Sequence, residues 1–94
     1  MLLGNLRTSV QSIITITDAV TLTLSDFYVL AMGANGYTIT LPTNPPVGKV
    51  YSIRCRNATK LASVAYYQGG SLTNQFAVGT VTYLVWDGVN WHQF

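Results

Sequence analysis

Gly79-Thr80-Val81-Thr82-Tyr83-Leu84-Val85-Trp86-Asp87-Gly88-Val89-Asn90-Trp91-His92-Gln93-Phe94 reads as one β-hairpin. Side chains alternate along a strand, so Val81, Tyr83 and Val85 share one face and Thr82, Leu84 and Trp86 the other. Asp87-Gly88 supplies the turn, because Gly takes positive φ without steric cost and Asp bonds its own backbone. The turn sets Trp86 and Trp91 near each other across the strands, and such an aromatic pair is worth roughly 0.2–1 kcal/mol. Trp86, Asp87 and Gly88 are therefore read as a structural clamp. Both faces of the first strand become apolar towards the turn, so the face of Tyr83 and Val85 is expected to meet another subunit.

Upstream, the pattern stays that of short strands divided by Gly, Pro, Asn and Asp. Ser12 to Thr17 is one β segment. Ala19 to Leu24 alternates Val20, Leu22 and Leu24 with Thr21 and Thr23, the period of a strand with one buried face. Phe27-Tyr28-Val29-Leu30-Ala31-Met32 is continuously apolar, which predicts burial on both faces. Gly33-Ala34-Asn35-Gly36 is a turn rich in candidates for positive φ. Tyr37 to Leu41 alternates until Pro42, which cannot donate to a ladder and stops the strand. A stiff Pro-containing loop ends at Gly48. Lys49 to Arg56 puts Tyr51, Ile53 and Cys55 on one face and Val50, Ser52 and Arg54 on the other. Asn57 to Lys60 is a turn, Ala62 to Tyr67 a strand, and Leu72 to Val78 a short strand or irregular segment. No helix and no internal repeat is evident. The fold class is all-β, a compact antiparallel β-sandwich or small barrel. Residues 1–11 form an anchoring arm or edge segment, and residues 12–94 a single β domain.

Composition points to association. The chain has 94 residues, 49% hydrophobic and 9% charged, against about 25% charged in ordinary soluble domains. A domain this short buries only about 60–65% of its unfolded surface, so its own core is marginal. A surface so poor in charge suits a chain that packs against other subunits. Leu2, Leu3 and Leu6 are expected to dock the leader on the domain or on a neighbour. The net charge of +2 does not call for nucleic acid, which needs several clustered phosphate contacts. Arg54, Arg56 and Lys60 are read as solvated charges. No signal peptide and no apolar run of membrane-spanning length is present.

Support for chemistry is thin. Cys55 is the only cysteine and His92 the only histidine. Cys55 alternates with two Arg and is expected to face inward as a small apolar group. Asp18, Asp26 and Asp87 all occupy turn positions, so paired carboxylates for hydrolysis are not expected. No cofactor, no metal and no enzymatic activity is expected. Aromatic side chains are the remaining signal. Tyr66, Tyr67 and Trp91 are candidates to stack on sugar rings, although Trp and Tyr are also enriched in subunit interfaces.

Phe27-Tyr28-Val29-Leu30, Thr38-Ile39-Thr40-Leu41-Pro42, Gly48-Lys49-Val50-Tyr51-Ser52-Ile53 and the closing Asp87-Gly88-Val89-Asn90-Trp91 hairpin come in this order. The series resembles small all-β modules of tailed-phage virions, found in tail fibres, head fibres and capsid decoration proteins. The likeness spans roughly Ile13 to Phe94. It implies a homotrimer displayed as a knob on the virion surface, assembled in the host cytoplasm, with no active site to carry over. Unlike long fibre proteins, the sequence shows no coiled-coil or collagen-like shaft before the domain. The expected function is therefore capsid decoration: binding the outside of the assembled shell, with the major capsid protein as partner. The alternative is a head-fibre or tail-fibre module that recognises host surface glycans.

Overall fold

Tyr51, Ile53 and Cys55 are buried while Val50, Ser52 and Arg54 turn outward, and the strand they define, β5 (Val50–Cys55), sits at the centre of the architecture. The computed structural model describes residues 12–94. In order, the strands before β5 are β1 (Ile13–Ile16), β2 (Val20–Thr21), β3 (Tyr28–Ala31) and β4 (Thr38–Thr40). Those after it are β6 (Lys60–Gln68), β7 (Ser71–Phe76), β8 (Val81–Trp86) and β9 (Trp91–Gln93). Among the described residues there is no helix, and all nine strands belong to one mixed sheet.

The sheet is not the antiparallel sandwich or barrel that the turn spacing suggested. Its order is β1-β3-β5-β8-β9-β6-β4-β2, with β7 beside β6. β1, β3 and β5 run parallel as one arm, and β2, β4 and β6 run parallel as the other. Each odd strand is followed by its even partner on the opposite arm, so the chain climbs in coils, as in a short solenoid. The hairpin β8–β9 joins the arms: β8 lies antiparallel to β5, and β9 parallel to β6. The short Gly- and Asn-rich connections read as turns are here the corners between arms.

Stacked rungs place like residues above one another. Ile14, Val29, Ile53 and Thr82 form one inward column, and Ile16, Ala31 and Cys55 a second. Val20, Ile39 and Ala62 face them from the other arm. One cluster joins both arms through Leu22, Tyr66, Phe76, Leu84 and Trp91. Each large side chain so buried contributes roughly 1.5–3 kcal/mol. The apolar run Phe27–Met32 is buried on one face only: Val29 and Ala31 point in, while Tyr28 is exposed and Leu30 half-buried. The alternation from Val20 also ends early, because the chain turns at Leu24-Ser25 and leaves Leu24 exposed.

The corners are held by lysines, which corrects the reading of Lys60 as a solvated charge. Lys60 is 0% exposed. Its ammonium donates to the carbonyls of Gly33 at 2.9 Å, Ala58 at 2.7 Å and Arg56 at 3.3 Å, and lies 4.7 Å from the Tyr37 ring centroid. Asn57, at φ 74°, donates from Nδ2 to Met32 O at 2.7 Å and ties the same two corners. Lys49 repeats the device one corner away. It donates to Leu24 O and Asp26 O and sits 4.6 Å from the Tyr51 ring centroid. Tyr51 Oη donates to Thr23 O at 2.7 Å. Arg54 and Arg56 are exposed.

Gly33 has a different role from the one its turn suggested. It is not at positive φ; a Cβ there would meet Thr17 O at 2.3 Å. Close backbone approach, not left-handed conformation, requires glycine. Gly48 and Gly88 do sit at positive φ, 89° and 104°.

Candidate functional site

Hairpin β8–β9 carries Tyr83, Val85, Trp86, Asp87, Gly88 and Trp91, and its turn is held by several bonds. Asp87 Oδ1 accepts from the N–H groups of Val89 and Asn90, both at 2.7 Å, and Asp87 N donates to Asn90 O. Gly48 N donates to Trp86 O at 2.8 Å, which docks the Pro45-Pro46 loop against the hairpin. Trp86 and Trp91 are directly paired, with ring centroids 5.3 Å apart, and Trp91 in turn packs 5.6 Å from Tyr51. Pro42 lies just past β4, half-buried.

The outward side of the odd arm carries several exposed apolar residues. Ile13, Tyr28, Ser52 and Tyr83 lie side by side across β1, β3, β5 and β8. Thr15, Leu30, Arg54 and Val81 form the next row. Phe27 packs edge-on to Tyr28 at 4.4 Å and lies 6.5 Å from Tyr83, and Phe94 N donates to Tyr83 O. Tyr83 is 38% exposed and Phe94 82%. Val85 is half-buried on the same face, while Leu84 between them is fully buried. The outward side of the even arm carries Thr21, Thr40 and Thr38, with the exposed Leu61 beside Thr38. Leu2, Leu3 and Leu6 lie outside the described residues.

Sequence reasoning missed Phe27, Tyr28 and Phe94 on this face. Their signal was available in the alternation of Tyr28 with the inward Val29, but an unbroken apolar run hides which half is covered.

The three candidate sugar-stacking residues are not brought together as an open platform. Tyr66 and Trp91 are each 1% exposed. Tyr66 Oη donates to Gln75 O, and its ring stacks on Phe76. Tyr67 is half-buried and stacks on His92 at 5.2 Å. An open notch of about 260 Å³ does occur nearby, lined by Val64, Ala65, Trp86, Val89, Asn90 and Trp91. Of the three candidates only Trp91 reaches it.

Titratable groups are used structurally. The backbone N–H groups of Asn90 and Val89, with the His92 ring beside them, hold the Asp87 carboxyl down at about 2. His92 Nε2 lies 2.6 Å from Asp87 Oδ2. Burial pushes the Cys55 thiol up, against the opposing influence of Lys60, which keeps it in the poorly nucleophilic form. Burial likewise raises Tyr51 to about 12. Burial lowers Lys49, with Asp26 acting in the opposite direction. Among the described residues no three His, Cys, Asp or Glu side chains converge to hold a metal.

Compared with family models, with curated proteins and with solved structures, the chain matches none.

Proposed function

We propose that this chain is a structural protein of a phage virion, a decoration module that packs against copies of itself and binds the outside of the assembled shell. The outward face of the odd arm carries the proposal. A sheet with one core has its apolar side chains on one side. Here Ile13, Tyr28, Leu30, Val81, Tyr83 and Phe94 lie on the other. Contiguous apolar surface of this kind marks a contact with another protein. A second copy is the simplest occupant, because the face combines aromatic rings with Arg54 as the one charge in its two register rows, and aromatic residues and Arg are the types enriched in interfaces. The resemblance in the rung and hairpin motifs supports three copies around an axis, with the major capsid protein as the further partner. Decoration then acts by linkage: a protein that binds only the assembled shell stabilises it by mass action.

Sedimentation of the wild type and two variants tests the interface. The wild type should sediment as a trimer at micromolar concentration. Tyr83→Asp should remain folded and sediment as a monomer. Leu84→Asp places a charge in the core and should unfold the domain. A folded wild-type monomer at that concentration would sink the proposal. Cryo-microscopy of intact particles tests the location: density on the capsid exterior is expected, and density confined to the tail argues against decoration.

A further inference from the structure

The corner around Lys60 lies inside the fold and is independent of the surface proposed for assembly. Lys60 is fully buried, and among the described residues no carboxylate pairs with its ammonium. Desolvating such a charge is costly, so something else must compensate it. Dipoles do. The carbonyls of Gly33, Ala58 and Arg56 take its three N–H donors, and the ammonium lies over the Tyr37 ring. The same kinds of group recur at the corner of Lys49, where two carbonyls and the Tyr51 ring meet the ammonium. Two corners of one stack thus offer converging carbonyls and a ring face to a cation.

The cage is held by bonds that do not involve the Lys60 side chain. Asn57, in the left-handed region at φ 74°, turns the chain between Arg56 and Ala58. Ala58 N donates to Arg56 O at 2.9 Å, and Arg56 N to Ala31 O at 2.8 Å. Asn57 Nδ2 donates to Met32 O, next to Gly33. Tyr37 Oη donates to Ile16 O and accepts from Gly33 N, and Tyr37 O accepts from Leu61 N. The three carbonyls and the ring therefore keep their places when the ammonium is removed.

The lining selects its occupant. Calcium and magnesium sites draw on carboxylates, and this corner has none, so a single positive charge suits it. Three acceptors match the three N–H donors of a primary ammonium, whereas a quaternary ammonium has no donor to offer. We propose that the Gly33–Ala58 corner is a binding site for a primary alkylammonium ion. The native chain fills it with Lys60, and a free amine takes the place when that side chain is cut back. Lys60→Ala removes three carbons and the nitrogen, so n-propylammonium replaces the missing atoms. Even at the ceiling for very small ligands, a molecule of this size binds no tighter than tens of micromolar, so a Kd of about 1–10 mM is expected. At about 0.1 M amine the folded-to-unfolded ratio then rises about 10–100-fold.

Thermal unfolding of Lys60→Ala in n-propylammonium chloride tests the site, with potassium chloride of equal ionic strength as the reference. At about 0.1 M amine the midpoint of the variant should rise by about 5–20 °C above that reference. The wild type, whose corner is filled, should not respond. Tetramethylammonium has the charge without N–H donors, and n-propanol has the chain without the charge; neither should reproduce the rise. Lys49→Ala should gain less, because its corner is half-open and water replaces the ammonium there. No rise above the potassium chloride reference overturns the proposal, and so does an equal rise in n-propanol or in the wild type. If Lys60→Ala is unfolded without amine, the same titration is read as recovery of the folded near-ultraviolet dichroism, and no recovery up to about 0.5 M amine overturns the proposal equally.

Discussion

Replacing Lys60 by methionine should destabilise the domain by about 2–4 kcal/mol. The figure follows from the corner that Lys60 holds. Its ammonium makes two short bonds, to Gly33 O and Ala58 O, and a long one to Arg56 O. Each short charge-assisted bond contributes roughly 1.5–3 kcal/mol. The Tyr37 ring adds roughly 0.5–2 kcal/mol. Against these stands the desolvation of the ammonium, several kcal/mol, which methionine relieves. Methionine keeps the length of the apolar stem but leaves the carbonyls without a donor, at roughly 1–3 kcal/mol for each one buried. The loss wins because Lys60 is inaccessible to solvent and water cannot replace it.

At about 4–8 °C per kcal/mol for a domain this size, the thermal midpoint should fall by about 10–30 °C. Urea unfolding of Lys60→Met beside Lys49→Met is the assay. Lys49 makes the same kind of bonds, to Leu24 O and Asp26 O, but is only half-buried. Water can take its place there, so Lys49→Met should lose less than about 1.5 kcal/mol. The reasoning is refuted if the Lys60 variant loses under about 1 kcal/mol, or no more than the Lys49 variant.

Two further outcomes follow from the corners and the hairpin turn. Gly33→Ala should cost about 2 kcal/mol or more, measured by chemical denaturation, because its Cβ would collide with the Thr17 backbone at 2.3 Å as well as with the Tyr37 ring at 2.7 Å. The Asn90 and Val89 N–H groups and the His92 ring hold Asp87 down at about 2, below the roughly 3.9 of an ordinary aspartate. A depressed carboxylate stabilises the fold above its unfolded pKa, and that contribution is lost as pH falls from about 4 to about 2. Urea midpoints across this window should drop more steeply for the wild type than for Asp87→Asn; parallel curves would remove Asp87 from the account.

The local structure was legible because it depends on neighbours in sequence. Alternation in Tyr51, Ile53 and Cys55 gave the inward face of β5, and Asp87-Gly88 gave the terminal turn with Trp86 against Trp91. The parallel stacking was not legible. Ile13 aligns with Tyr28, 15 residues on, whereas Tyr28 aligns with Ser52, 24 residues on. Corners of such unequal length leave no period to detect, and a short connection rich in Gly and Asn reads equally as a hairpin. Lys60 was misread for a related reason. Its partners are backbone carbonyls at Gly33 and Ala58, which carry no sequence signature, while a lysine beside two arginines looks like a surface patch.

The way β8 and β9 close the sheet also fixes where the molecule can change length. Each of these strands has a neighbour on both edges: β5 and β9 for β8, β8 and β6 for β9. Neither offers an edge to a further strand, whereas β7 pairs only with β6 and keeps its other edge among the described residues. A coil that leaves the hairpin unaltered therefore enters at the β1 and β2 side or between existing coils. Each would extend the stack by about 4.8 Å while leaving the Trp86–Trp91 clamp unaltered. The hairpin serves as a fixed end from which height is measured, and proteins built on this plan can differ in reach without any change to their tip.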